Sequence, residues 1–368
     1  MKYVDFCGNK ISQFCLGTAT YGTRYEMTQS LNYALKNGIN YIDTARSYNN
    51  GDGESIIGEW STYVQRDKYY IATKREIKND IWYPNTVSKF IYEQCEKLNT
   101  PYIDYFLLHG LDGLDATNIW IDAICRSDIC KSLDQLKKDG IVRKIGFSYY
   151  GKGEDLEYLL DKYNWDFVQI RHNIIDDHNF TTIFDTNKLS YDAALEYKKN
   201  HPDFGIMIME PLSSAMLYNL DYNEDIQSQY VGLKWNVDTE LPILIGSRTK
   251  TQLIQTLKLY YDIINNKYDN INMDYYVNKI NNFFDERLPE NIRCVNCYRC
   301  NECEKKYNIW YIIRIYNELF LRKDSTKLKE YFTRNDMIDC GDCCKCELRC
   351  PTVDIKKCLK EIKNYIKQ

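Results

Sequence analysis

The chain's 368 residues suffice for one large domain with a smaller companion, and 44% hydrophobic with 27% charged residues is a globular composition. A formal net charge of -4 gives no electrostatic case for nucleic acid or an anionic membrane surface as partner. The opening MKYVDFCGNKIS has no apolar signal-peptide core, and no run approaches the roughly 18 apolar residues of a membrane span, so a cytoplasmic protein is expected.

In chain order, short apolar runs predict strands at Phe14–Gly17, Tyr41–Asp43, Tyr69–Thr73, Tyr105–Leu108, Lys144–Phe147, Phe167–Ile170, Gly205–Met209 and Ile243–Ile245. Amphipathic stretches between them predict helices at Thr28–Asn37, Glu54–Tyr63, Thr86–Leu98, Ile129–Lys138, Asp155–Tyr163, Tyr191–Asn200 and Thr251–Leu259. Gly38 and Gly140 stand where a helix C-terminus needs a left-handed residue. Eight strands alternating with helices over about 250 residues predict an α/β fold of the (β/α)₈ TIM-barrel type, whose active site lies at the C-terminal strand ends. The string GDGESIIG has the wrong spacing for a dinucleotide fingerprint and follows no strand directly, which argues against a Rossmann fold. Past Ile264 the pattern changes. A polar helical stretch runs to about Phe284, and LPEN at 288–291 marks a boundary, so a barrel over residues 1–285 and a small domain over 286–368 are expected.

Cysteine use separates the two. Five of the 15 cysteines lie in the first 293 residues and ten in the last 75, which points to metal in a reducing compartment, where disulfides are not expected. One string supplies Cys294, Cys297, Cys300 and Cys303; the other supplies Cys340, Cys343, Cys346 and Cys350, followed by Pro351. The second is a C-x₂-C-x₂-C-x₃-C-P run, the pattern of a ferredoxin with two 4Fe-4S clusters. In that pattern each close triplet serves one cluster and the distant cysteine serves the other. One set is then Cys294, Cys297, Cys300 and Cys350, and the other Cys340, Cys343, Cys346 and Cys303. The first string departs from the pattern, with two residues before its last cysteine and Glu304 in place of Pro. Two structural zinc ions are the alternative. Cys344 and Cys358 are bystanders in this reading. The apolar 309–321 between the strings reads as a core helix.

Four polar residues fall near the predicted strand ends: Asp43, Tyr48, Lys74 and His109. A phenol ionises at about 10, and a nearby ammonium lowers that value. Asp43 would hold Lys74 charged, and His109 would orient a substrate oxygen or relay a proton. Taken singly, the aspartate could be a helix cap and the histidine a core residue.

With GTATYG, GINYIDTARSYNNGDGESIIGEW, IATK, IDYFLLHG, KKDGIVRKIGFS, FVQIRHNIID, MEPLSSAML and LPILIGSRTKTQL, the chain over roughly 1–264 resembles the aldo-keto reductase family. The resemblance implies the tetrad Asp43, Tyr48, Lys74 and His109, a hydride passed from NADP(H) or NAD(H) to a carbonyl, and Tyr48 protonating its oxygen. It also implies that Ser148 and Gln169 hold the nicotinamide carboxamide and that Pro211, Leu212, Ser213 and Ser214 face the pyrophosphate. Gly246, Ser247 and Arg248 would cradle the adenosine phosphate, with Gln252 near the adenine. Tyr149, Ser213-Ser214 and Arg171-His172 depart from the usual pattern, the last suggesting a polar substrate pocket. Barrel and tail together resemble an iron–sulfur subgroup of the family.

The expected function is therefore reduction of a small carbonyl or oxidation of the alcohol, with the clusters serving electron transfer or structure. A one-electron carrier such as ferredoxin or flavodoxin is the partner if electrons leave the chain. Sugar or polyol oxidation or epimerisation with retained nicotinamide is one alternative. A non-catalytic electron-transfer or redox-sensing protein is the other.

Overall fold

A computed structural model describes residues 1–76, 84–111, 129–183, 188–218, 220–268, 270–288, 293–294, 300, 303, 307–334, 345–350 and 353–366. Its contacts divide into two compact units. The first takes residues 1–173, 187–211 and 233–270; the second takes 174–186, 212–232 and 271–368.

The first unit opens with a hairpin of β1 (Tyr3–Phe6) and β2 (Asn9–Ser12), turned by left-handed Cys7 and Gly8. Eight parallel strands then close a barrel: β3 (Phe14–Gly17), β4 (Tyr41–Asp43), β5 (Tyr70–Glu76), β6 (Ile103–Leu111), β7 (Val142–Tyr149), β8 (Phe167–Arg171), β9 (Gly205–Met209) and β10 (Ile243–Gly246). Closure is β10 against β3, with Ile243 opposite Phe14 and Gly246 opposite Gly17. Around it stand α1 (Arg24–Lys36), α2 (Gly53–Ser61), α3 (Pro84–Lys97), α4 (Ile129–Lys138), α5 (Gly153–Leu160), α7 (Ser190–Asn200) and α9 (Lys250–Ile264). Thr23 and Thr249 cap α1 and α9 by accepting the N–H of the third helical residue.

All eight sequence-predicted strands are present, three with the predicted limits. The other five run on further, because parallel pairing continues past the last apolar residue. In β5 and β6 the register carries on through Lys74 opposite Leu107 to Glu76 opposite His109. Lys74 and His109 therefore lie inside their strands rather than at the ends expected for them. The hairpin is an element the sequence reading lacked.

Strand alternation decides what fills the barrel. Cys15, Tyr41, Ala72, Tyr105, Leu107, Phe167, Met207, Met209 and Leu244 form one buried cluster with hairpin residues Val4, Phe6, Cys7 and Ile11. The hairpin floors the barrel at its N-terminal end. Phe6 lies 6.0 Å from Tyr41, 5.2 Å from Tyr105 and 5.4 Å from Phe167, ring centre to ring centre. Gly205 is required there, since a Cβ would stand 2.5 Å from Cys7 Sγ and 2.6 Å from Phe6 Cε2. Two residues further along several strands the same inner face turns polar, which gives the barrel an apolar floor and a polar mouth.

The second unit contains α6 (Ile174–Ile183), α10 (Met273–Arg287), α11 (Ile309–Arg322), α12 (Thr326–Arg334), α13 (Lys345–Arg349) and α14 (Ile355–Ile366). Helix α8 (Ser228–Val237) begins in it and ends in the first. The predicted core helix over 309–321 is α11, which buries Ile309, Ile312, Ile313, Ile315 and Leu321. Its polar residues hold neighbouring chain in place. Arg314 and Arg322 donate to the carbonyls of Ser214, Ala215, Met216 and Tyr218, and Asn317 accepts the Cys294 N–H at 3.1 Å. Ser213, Ser214 and Ala215 are all left-handed, and the arginine bonds help hold this unfavourable backbone. Among the described residues, no helix is long and apolar enough to cross a membrane.

Because Phe6 joins three strands that are distant in sequence, Phe6→Ala should cost about 3–5 kcal/mol. Urea unfolding of the purified chain would measure it as a lowered midpoint with an unchanged slope.

Candidate active site

At the mouth of the barrel in the first unit, alternation brings three of the four predicted residues onto one inner face. Asp43 follows Tyr41 by two, Lys74 follows Ala72 by two, and His109 follows Leu107 by two. The fourth, Tyr48, opens the short turn Tyr48–Gly51, which left-handed Asn49 and Asn50 fold tightly. Asn49 Nδ2 anchors that turn to the carbonyl of Thr18 at 2.8 Å.

Lys74 and Asp43 are sealed from solvent, each side chain 1% exposed, and Lys74 Nζ donates to Asp43 Oδ1. The ammonium also donates to the carbonyl of Thr44 at 3.0 Å, so two of its three N–H groups are engaged. Asp43 Oδ2 has no hydrogen-bond partner among the described residues. Burial pushes the Asp43 carboxyl up and the Lys74 ammonium down, and the attraction of each for the other opposes both shifts. Lys74 Nζ lies 5.0 Å from the centre of the Tyr48 ring, and that ring meets His109 edge-on at 5.6 Å. The structure thus gathers all four residues.

It also adds one. Glu76 Oε1 stands 3.0 Å from His109 Nδ1 and accepts from the Ser47 hydroxyl. Burial alone would raise its carboxyl, but the bonds from His109 and Ser47 overcome that and hold it lowered to about 2. Lys74 and Glu76 are two apart on one strand and so share a face, a signal lost when the strand is ended at Thr73. Behind the site, buried Glu54 accepts from Thr73 and Gln94, both at 2.6 Å, which fixes the β5 backbone beside Lys74.

The residues matched to cofactor contacts fall in three places. Ser148 on β7 lies opposite Gln169 on β8 in the register. Ser148 Oγ accepts the Gly110 N–H at 2.8 Å, and Gln169 Oε1 is buried without a partner among the described residues. Gly246, Ser247, Arg248 and Gln252 form one segment at the end of β10 and the start of α9. There Ser247 is buried, Arg248 is exposed, and Gln252 serves the helix start by accepting the Arg248 N–H at 2.8 Å. Pro211 belongs to the first unit, and Leu212, Ser213 and Ser214 to the second.

The departures from the family pattern are packed residues with partners. Tyr149 is buried, and its hydroxyl donates to the Lys152 carbonyl at 2.7 Å. His172 stacks on Tyr191 at 4.0 Å and bonds Asn236 through Nδ1 at 2.9 Å. The Arg171 charge is answered by Glu210 at 3.3 Å.

A model of the aldo/keto reductase family matches residues 13–261, two-thirds of the chain. The chain belongs to the aldo/keto reductase family. The uncharacterized oxidoreductase YqkF of Bacillus subtilis is 32% identical over 158 residues, 40% of this chain and 48% of that protein. Glyoxal reductase of Bacillus subtilis is 32% identical over 153 residues, 42% of this chain and 50% of that one. D-arabinose 1-dehydrogenase of Saccharomyces cerevisiae is 29% identical over 154 residues, 38% and 43% of the two chains. The chain thus spans about half the length of these curated relatives. Aldo-keto reductase AKR11C1 from Bacillus halodurans shares the fold with a TM-score of 0.57 at 17% identity, over 76% of this chain and 96% of that one. Aldose reductase from Schistosoma japonicum does so at 0.53 and 18%, over 77% and 92%.

Of the eight predicted cluster ligands, Cys294, Cys300, Cys303, Cys346 and Cys350 are described; Cys297, Cys340 and Cys343 lie outside the described residues, as do Cys344, Glu304 and Pro351. Among the described residues no group of three His, Cys, Asp or Glu is placed to hold a metal ion. Cys350 Sγ accepts the Val353 N–H at 3.2 Å, and burial pushes the Cys358 thiol up.

Removing one member of a buried ion pair strands the other. Lys74→Met should therefore cost about 3–5 kcal/mol, and combining it with Asp43→Asn should recover much of the loss. A double-mutant cycle read by denaturant unfolding checks this, and strict additivity of the two losses would contradict the pairing.

Proposed function

We propose that this chain is an NAD(P)H-linked oxidoreductase that reduces the carbonyl of a small polar substrate, or oxidises the alcohol, with Tyr48 as general acid and base. The observation that carries the reading is the buried Lys74–Asp43 pair with Tyr48 and His109 gathered against it at the barrel mouth. Such a pair keeps a charge beside a phenol in a place where water cannot screen it. The third N–H of Lys74 stabilises the Tyr48 oxygen as it gives its proton to the substrate oxygen. His109 orients that oxygen. The names of two relatives, glyoxal reductase and D-arabinose 1-dehydrogenase, suit a small polar substrate.

The residues present suit a nicotinamide. Gln169 Oε1 is a buried acceptor lacking a partner among the described residues, beside Ser148, and a carboxamide N–H would satisfy it. When bound, the cofactor supplies the hydride. Ser148 and Gln169 would hold its carboxamide. Pro211, Leu212, Ser213 and Ser214 would serve the pyrophosphate, and Gly246, Ser247, Arg248 and Gln252 the adenosine end. Arg248 suits a 2′-phosphate through its fork of donors.

Along the chain we place the barrel domain in 1–285 and a ferredoxin-like domain with two 4Fe-4S clusters in 286–368, which makes the protein one of the family's iron–sulfur subgroup. The thiol chemistry fits. Both cysteine strings carry the close C-x₂-C-x₂-C triplet, and the N–H donated to Cys350 Sγ is the kind of bond that tunes a cluster ligand. When bound, the clusters supply one-electron chemistry or a brace, and a carrier such as ferredoxin or flavodoxin is the partner if electrons are exchanged. A reducing compartment, the cytoplasm, suits these thiols.

Tyr48→Phe should reduce carbonyl turnover at least about 100-fold while leaving NADPH affinity within about threefold. Steady-state assay and fluorescence titration measure the two; equal loss of both would refute the acid role. Anaerobic purification should return on the order of eight iron and eight acid-labile sulfide per chain. Zinc in place of iron would refute the clusters.

A further inference from the structure

Glu76 is the polar residue at the mouth that joins the other four, and its partners are specific. It stands directly opposite His109 in the β5–β6 register, and its Oε1 takes both His109 Nδ1 at 3.0 Å and the hydroxyl of Ser47, the residue before Tyr48. One carboxylate oxygen thereby ties the histidine to the segment that carries the tyrosine. A carboxylate can only accept, so the hydrogen between Glu76 and the ring belongs to Nδ1. A neutral imidazole carries one N–H. With that hydrogen committed to Glu76, Nε2 is left with a lone pair.

We infer that Glu76 is a positioning residue that fixes His109 as its Nδ1–H tautomer, so that Nε2 accepts from a hydroxyl when the ring is neutral and donates to a carbonyl only when the ring carries a second proton. The inference rests on the proposed reading of His109 as the residue facing the substrate oxygen. It gives the site a defined polarity. An alcohol is received by the neutral ring and a carbonyl by the charged one, with Glu76 as the counter-charge in the second case. Among the described residues, the charged and titratable groups around the ring are Glu76 and Lys74 on β5, Asp43 on β4 and Tyr48 on its turn. Leu or Ala at position 76 removes the acceptor and lets the ring turn or adopt the Nε2–H tautomer that isolated imidazole side chains favour. Gln keeps an acceptor oxygen while losing the charge.

The test is a two-bond ¹H–¹⁵N spectrum of the full-length chain labelled on its four histidines, titrated to alkaline pH until the ring signals stop moving. His109 should settle as the Nδ1–H tautomer in the wild type and in Glu76→Gln, and should pass to Nε2–H in Glu76→Leu. Turnover of 4-nitrobenzaldehyde should fall on the order of tenfold in Glu76→Leu with the KM for NADPH unchanged. The signals of His172, held by Asn236 and Tyr191, report that each variant is folded, and Glu76→Ala replaces Glu76→Leu if the latter is not. An Nε2–H ring in the wild type, or an unchanged tautomer in the folded Leu and Ala variants, overturns the inference. A tautomer that follows Glu76 in a wild-type chain that reduces no carbonyl upholds the positioning and sinks the reductase reading.

Discussion

Lys74 and Asp43 are fully charged groups in ordinary water, yet both side chains are 1% exposed. Desolvating either alone costs several kcal/mol, and each is tolerable only because the other is there. That mutual dependence reaches well beyond the pair. Asp43 must end β4, Lys74 must sit on the inner face of β5, and the two strands must keep the register that places Asp43 opposite Ala72. Gln94 and Glu54 then hold the β5 backbone from behind. Slipping that register by one residue would turn Lys74 away from the inner face and strand both charges, so the electrostatics of the mouth and the hydrogen bonding of the barrel fix one another.

The barrel was legible because its strands are short apolar runs with helices between them, a pattern set by burial on both faces. The inner polar layer was legible in part. Asp43, Lys74 and His109 each break an apolar run at the mouth of the barrel. Glu76 is hidden because the apolar run stops before it, although pairing carries on as long as the neighbouring strand supplies partners. The hairpin was missed for a different reason. Residues 3–6 and 9–12 lack a clean two-residue turn signal, and the barrel residues they pack against lie far along the chain. Arg171 and His172, which depart from the family pattern, meet Glu210 as an ion pair and Asn236 through a hydrogen bond. No local pattern could have revealed those distant neighbours.

In the second unit, α11 does two jobs. Its isoleucines supply the buried surface, while Arg314, Asn317 and Arg322 hold the carbonyls of left-handed Ser214 and Ala215 and the backbone of Cys294. A helix that reads as plain apolar core therefore also carries the backbone on either side of it. Ordinary residues at positive φ are unfavourable one by one, and several in a row persist only where something outside them holds the carbonyls.

The floor of the barrel bears on how the molecule is made. Asn9 bonds Tyr105, Cys7 bonds the Asp166 carbonyl, and the Lys2 N–H bonds Tyr260, spans of 96, 159 and 258 residues. Closing loops of that length costs chain entropy before any contact repays it. The hairpin is synthesised before β6, β8 and α9, so Phe6 must wait unburied while the strands that will enclose it are made. Docking of the hairpin is then a late event in assembly, and until it occurs the lower ends of the strands remain open to mispairing and aggregation.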